Sequence, residues 1–186
     1  MNLYIADMHL GHKNSINFDH RPFADIEEMD RLLIANWNEK VDPDDEVYIV
    51  GDFAVKTSRG FGYYLSQLKG RKHLIVGNHD EDLLMDAYAR SSFESVHEIC
   101  EVEDTLDNKK VMVTLCHYPL MEWNRIRHGA ILVYGHIHAD NRKDIQDYYR
   151  SRAKERAFNA GCMINNYTPC TLLELRRHNR IFYRWS

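Results

Sequence analysis

The chain lacks several features that would have settled its class at once. Its four cysteines, Cys100, Cys116, Cys162 and Cys170, form no CxxC pair, which removes the common signature of a thiolate zinc site or dithiol redox motif. Free buried thiols in a reducing compartment are the expected state. Cys116, beside His117, ends the apolar run Val111–Leu115 and reads as packed core rather than as a nucleophile. No apolar run approaches the roughly 20 residues that cross a bilayer as a helix. Met1–Ala6 has neither the basic stretch nor the long apolar core of a secretory signal. A cytoplasmic protein with no membrane association is therefore expected. Positive charge is not in excess: 24 Lys and Arg stand against 28 Asp and Glu, a net charge of −4. That argues against a general binder of phosphate backbones, so nucleic acid is not the favoured partner. Internal repeats and low-complexity segments are also missing.

With 186 residues, 44% of them hydrophobic, the chain can bury one substantial core, and a single domain over 1–186 is expected. Short apolar runs at 3–6, 47–50, 73–76 and 131–134 read as buried strands. Ile26, Met29, Leu32, Leu33 and Trp37 repeat at helical spacing behind the N-cap candidate Asp25. Shorter helices are predicted near Tyr63–Leu68 and from Glu81 to Ala89, and a polar loop from Asp7 to Pro22. Residues 96–102 and 110–115 predict an antiparallel hairpin around Asp107-Asn108. The polar stretch 141–156 is expected as a surface loop or helix. Closing strands are predicted near Ala157-Phe158, over Thr171–Leu175 and over Arg180–Trp185. The overall expectation is a sheet sandwich with helices outside.

Five short motifs carry the chemistry: Asp7-Met8-His9, Gly51-Asp52, Gly77-Asn78-His79-Asp80, Cys116-His117-Tyr118-Pro119 and Gly135-His136-Ile137-His138. Each follows an apolar run, so their polar side chains collect at one edge of a sheet. Asp and His together suit a borderline divalent ion such as Mn, Fe, Zn or Co. Ligands one residue apart, as in Asp7/His9 and His136/His138, share a face of an extended chain. Taken singly, each motif also has an ordinary reading as a solvated loop, a capping Asp or a pair of surface histidines.

Taken in order, the set resembles the calcineurin-like metallophosphoesterase superfamily, from Asp7 to His138, with every motif position filled. Phe158-Asn159-Ala160-Gly161 and Tyr167-Thr168-Pro169 also look like the closing segment of small bacterial members. The resemblance implies an α/β (α+β) fold, a four-layer αββα sandwich of two mixed sheets between helices. It implies one ion held by Asp7, His9, Asp52 and His138, and a second by Asp52, Asn78, His117 and His136, with Asp52 bridging. Manganese is the first expectation for both ions, with Fe, Zn, Co or Ni as alternatives. His79 would be a non-ligand acid and Asp80 the residue that orients it.

The expected reaction is hydrolysis of phosphodiester or phosphomonoester bonds in small substrates. Two ions roughly 3.5–4 Å apart would share a hydroxide that attacks phosphorus in line. Lys13 and Arg21, in the loop after His9, are the candidate phosphate contacts. Arg125 and Arg127 are further candidates; His12 reads first as a loop histidine with no ligand role, and otherwise as a wall residue. A metal-dependent nuclease and a non-catalytic protein-binding scaffold of the same fold are the competing readings. The oligomeric state is not legible in the sequence.

Overall fold

Apolar residues alternate faces along the buried strands, and that alternation builds the layers. The structure, a computed structural model, describes residues 1–140, 142–151 and 156–184. Strands β1 (Asn2–Ile5), β2 (Glu46–Val50), β3 (Arg71–Ile75) and β4 (Ser95–His97) form one sheet in that order. Its pairings are all parallel, so this sheet is parallel rather than mixed. The second sheet is mixed. Strands β5 (Ile99–Leu106) and β6 (Lys109–Cys116) pair as the predicted antiparallel hairpin, and β7 (Ile131–Tyr134) and β8 (Ala157–Asn159) follow in parallel.

Leu3, Ile5, Val47, Ile49 and Leu74 face Met29, Leu33 and Trp37 of helix α2 (Ile26–Lys40). The alternate residues Tyr4, Tyr48, Val50 and Ile75 meet Val113, Leu115, Ile131, Val133 and Phe158 of the second sheet. On that sheet's outer face Leu132, Tyr134 and Ala157 pack with Tyr149, one of the helical residues Lys143–Ser151. Helix, sheet, sheet and helix are thus four layers, the α+β sandwich expected. Parallel strands buried on both faces read as continuous apolar runs, which is why these were easy to find.

Helix α1 (Asn14–Phe18) lies within the predicted polar loop, and α3 (Phe61–Leu65) precedes β3. The predicted helix 81–89 is two short ones, α4 (Glu81–Met85) and α5 (Ala87–Ser91). Asp86 leaves helical geometry between them and its side chain caps α5 at the Ala89 N–H. Within 141–156, Lys143–Ser151 is helix α6; residues 141 and 152–155 lie outside the described set.

The predicted strand over Thr171–Leu175 is corrected: Leu172–Phe182 is helix α7. Thr171 and Glu174 form a reciprocal capping box, with the Thr171 hydroxyl accepting from the Glu174 N–H and the Glu174 carboxylate accepting from the Thr171 N–H. Leu172, Leu175 and Asn179 are buried while Leu173 is exposed, a helical rather than an alternating pattern. The predicted strand Arg180–Trp185 falls with it, since α7 runs through Phe182; Trp185 lies outside the described residues.

Candidate metal centre

Parallel strands end on the same edge, and here the five motifs follow β1, β2, β3, β6 and β7 in turn. The loops are stitched together by backbone: the Asp7 N–H donates to Gly51 O at 3.0 Å, His9 to Asp52 O at 3.0 Å and Gly135 to His117 O at 2.9 Å. Five candidate ligands sit in left-handed backbone conformation, Asp7, His9, Asp52, His136 and His138, with φ between 50° and 70°. For non-glycine residues this costs on the order of 1–2 kcal/mol each. Such residues turn the chain sharply off each strand, so that side chains one apart swing toward a common point. Gly51, at φ 86°, is required on two counts: a Cβ there would also lie 2.1 Å from His117 Nδ1.

Asp7, His9, Asp52 and His138 each place a donor atom within 4.8 Å of the others, and the first three are buried. His9 Nε2 lies 3.2 Å from His138 Nε2, and His138 Nε2 lies 3.8 Å from Asp7 Oδ1. A second group adjoins it. Asn78 Oδ1 is 3.0 Å from His117 Nε2 and 2.9 Å from His136 Nδ1. Asp52 joins the two: its Oδ2 is 3.6 Å from His9 Nε2 and 3.6 Å from His117 Nε2. All seven predicted ligands therefore meet. The donor set fits a divalent cation, because two buried carboxylates and two imidazole nitrogens in contact crowd lone pairs and negative charge that a cation would neutralise.

The protonation states follow from burial. Burial lowers His9 to about 2, helped by His138 and Arg21, so its ring stays neutral and open to ligation. Burial raises Asp7 to about 6, and the nearby His138 and His117 recover only part of that. At His138 burial, the largest influence, opposes charge, but the hydrogen bond to Asp19 and the carboxylate of Asp7 outweigh it and the pKa rises. His136 is lowered by burial and by His117.

Two predicted roles are corrected. Arg21 was expected to contact phosphate, but it is 4% exposed and points inward. Its guanidinium donates to Met8 O and Asp7 O, at 2.9 Å each, and to Asp19 Oδ2. Its donors hold the Asp7–His9 loop, leaving the fork no face toward a substrate. Asp80 was expected to orient His79. Its carboxylate instead accepts the backbone N–H groups of Asp52 (2.9 Å), Phe53 (3.0 Å) and Gly77 (2.8 Å), so it orients the loops. His79 is exposed; its backbone N–H donates to Asp52 Oδ1 at 2.9 Å and its ring centroid lies 5.6 Å from that of His9.

Lys13 is exposed at the start of α1, and Arg125 and Arg127 are exposed around a short 3-10 turn that no ligand residue lines. The His12 ring lies 5.7 Å from that of His9.

Several supporting residues had no sequence signal of their own. Asp19 Oδ1 accepts from or shares a proton with His138 Nδ1 at 2.6 Å, which aims Nε2 at the centre. Asn159 donates to His138 O at 2.8 Å and is itself held by Asn179 and Asn165, all three fully buried. Asp7 accepts the His136 N–H at 3.0 Å, tying the first loop to the last.

No known protein-family profile matches the chain. It is similar to an uncharacterized protein of Methanocaldococcus jannaschii, 29% identical over 170 residues that span 90% of this chain and 85% of that one. It is also similar to the gene 66 protein of Mycobacterium phage L5, 29% identical over 160 residues, 73% of this chain and 76% of the phage protein. Among solved structures, a protein of unknown function from Aquifex aeolicus has the same fold, with a TM-score of 0.65 and 25% identity over 91% of this chain and 94% of that one. None of these names carries an activity.

Proposed function

We propose that the protein is a phosphoesterase of the calcineurin-like kind, dependent on two divalent cations and hydrolysing phosphodiester or phosphomonoester bonds of small substrates. One observation carries this reading: seven side chains from five loops form two contiguous donor groups that share Asp52. Asp7, His9, Asp52 and His138 would hold one ion; Asp52, Asn78, His117 and His136 would hold the other. Oxygen and imidazole donors suit manganese first, with Fe, Zn, Co and Ni as alternatives. Bound cations would polarise a phosphoryl oxygen and make hydroxide available near neutral pH.

The chain's own residues supply the rest. Asp52 fixes both donor groups in one register, and Asp19 holds His138 in the tautomer that frees Nε2. His79 stands at the solvent side with its backbone anchored to Asp52, so its imidazole can donate a proton to a leaving alkoxide. Nothing in the ligand set is substituted, which favours an enzyme over a scaffold of the same fold. Mass-spectrometric metal analysis after manganese loading, followed by paired rates on a chromogenic diester and monoester, tests the reading. About two ions per chain and manganese-dependent release of product are expected; a protein that takes up no metal in excess manganese would refute it.

A further inference from the structure

Two large aromatic side chains stand half in solvent against otherwise polar neighbours: Phe18 is 50% exposed and Tyr118 45%. Phe18 ends α1, and its ring centroid lies 5.5 Å from that of His138, 6.0 Å from His9 and 5.8 Å from His12. Tyr118 directly follows His117, with ring centroids 5.2 Å from His117 and 4.7 Å from His136. Neither side chain belongs to a core cluster. Each borders a different one of the two donor groups, which meet at Asp52, so the two rings flank different halves of the candidate ligand row.

Exposed aromatic surface beside both halves of a polar centre is costly to hydrate, and core packing accounts for neither ring. Stacking against a flat π-face would cover such surface and is tolerant of which base or ring it meets. A phosphodiester extends a substituent to each side of phosphorus, whereas a monoester fills only one side. The absence of excess positive charge disfavours a long polyanion. We infer that Phe18 and Tyr118 are stacking platforms, and that the substrate is a short phosphodiester with a planar ring on each side of the scissile phosphorus, the chemistry of a dinucleotide. This rests on the hydrolase reading above and narrows its substrate class.

The test compares manganese-loaded wild type with Phe18→Leu, Tyr118→Leu and Tyr118→Phe on two diesters, thymidylyl-thymidine and the ring-free glycerophosphoglycerol. Each leucine variant should raise KM for the dinucleotide by about tenfold, in line with the loss of one stacked base. The fall in kcat/KM should be at least about fivefold greater on the dinucleotide than on the ring-free diester, and Tyr118→Phe should restore it. Equal losses on both diesters would show that the rings only shield the ligands, and unchanged dinucleotide kinetics would show that they stack nothing; either result overturns the inference. Calorimetric binding of a hydrolysis-resistant dinucleoside phosphorothioate separates this from the parent reading. A wild type inert toward both diesters counts against the hydrolase. Weaker phosphorothioate binding by the leucine variants still supports stacking, and equal binding by all variants overturns it.

Discussion

Replacing Arg21 by alanine should destabilise the fold far more than it disturbs substrate affinity. The guanidinium is buried and makes five contacts: to the carbonyl oxygens of Asp7 and Met8, to Met29 Sδ at 3.5 Å, to the Asp19 carboxylate through Nε, and to the same carboxylate through Nη2 at 2.7 Å. Removing it leaves Asp19, whose carboxylate is 6% exposed, without its cation, and two carbonyls without donors. Breaking a buried pair by deleting one partner costs about 3–5 kcal/mol, and a hydrogen bond to a charged group is worth about 1.5–3 kcal/mol. These overlap because they share one side chain, so the whole loss is expected at about 3–5 kcal/mol. Against a typical total of about 5–15 kcal/mol, that is a large fraction of the stability.

Urea denaturation measures it directly, with an unchanged slope as the sign that folding remains two-state. Arg21→Lys should recover only part of the loss, since an ammonium keeps the charge and cannot span both carbonyls and the carboxylate as the planar fork does. Metal content should fall along with stability, because the same contacts hold the Asp7–His9 turn. An Arg21→Ala protein within about 1 kcal/mol of wild type, with a raised KM as its main defect, would refute the structural role and return Arg21 to the substrate.

Metal affinity should depend on pH with one sign. Asp7, raised by burial to about 6, must lose its proton to act as a ligand, so affinity should rise with pH, with Asp7 alone accounting for about a tenfold fall for each unit below that value. The raised pKa of His138 steepens the same trend; manganese titration calorimetry between pH 5 and 8 in buffers of differing ionisation heat counts the protons released, and a flat profile would contradict it. Asp52→Asn should weaken both ions together, seen as loss of more than one metal per chain by mass spectrometry; loss confined to one ion would remove the bridge. His79→Ala should keep its metal and lose roughly 10²–10⁴-fold in kcat, and full turnover in that variant would take His79 out of the reaction.

The meeting of the candidate ligands was legible because each follows a run such as Val47–Val50 or Ile131–Tyr134, whose burial on both faces leaves an unbroken apolar signature. The strand ends then locate the side chains. What failed to show were roles set by long-range contacts. Asp19 and Arg21 sit in a polar loop and look alike as solvated charges; only the packing of α2 against Arg21 buries it, and Arg21 with His138 in turn covers the Asp19 carboxylate. At Thr171–Leu175 the run Leu172-Leu173 is too short for its period to separate strand from helix. The capping pair Thr171/Glu174 was the available signal for a helix. Asn159 stood out only within the Phe158–Gly161 segment and Asn165 and Asn179 not at all, because their joint burial under His138 exists only after α7 docks on β8.

These supports explain how the centre tolerates its own local cost. Left-handed backbone at five ligands and two facing buried carboxylates each work against folding, so no local preference holds the loops in place. What holds them is a set of charged or fully buried groups that each grip backbone rather than side chain: Arg21 on the carbonyls of Asp7 and Met8, Asp80 on the amides of Asp52, Phe53 and Gly77, Asp7 on the amide of His136, and Asn159 on the carbonyl of His138. Backbone grips fix where a turn lies, and the candidate donor atoms then face one another, His9 Nε2 toward His138 Nε2 and Asn78 Oδ1 toward the rings of His117 and His136. His9 illustrates the division: its backbone N–H is held by Asp52 O, while its ring remains neutral and its Nδ1 has no partner among the described residues. Loops held this way are fixed in place before any cation binds.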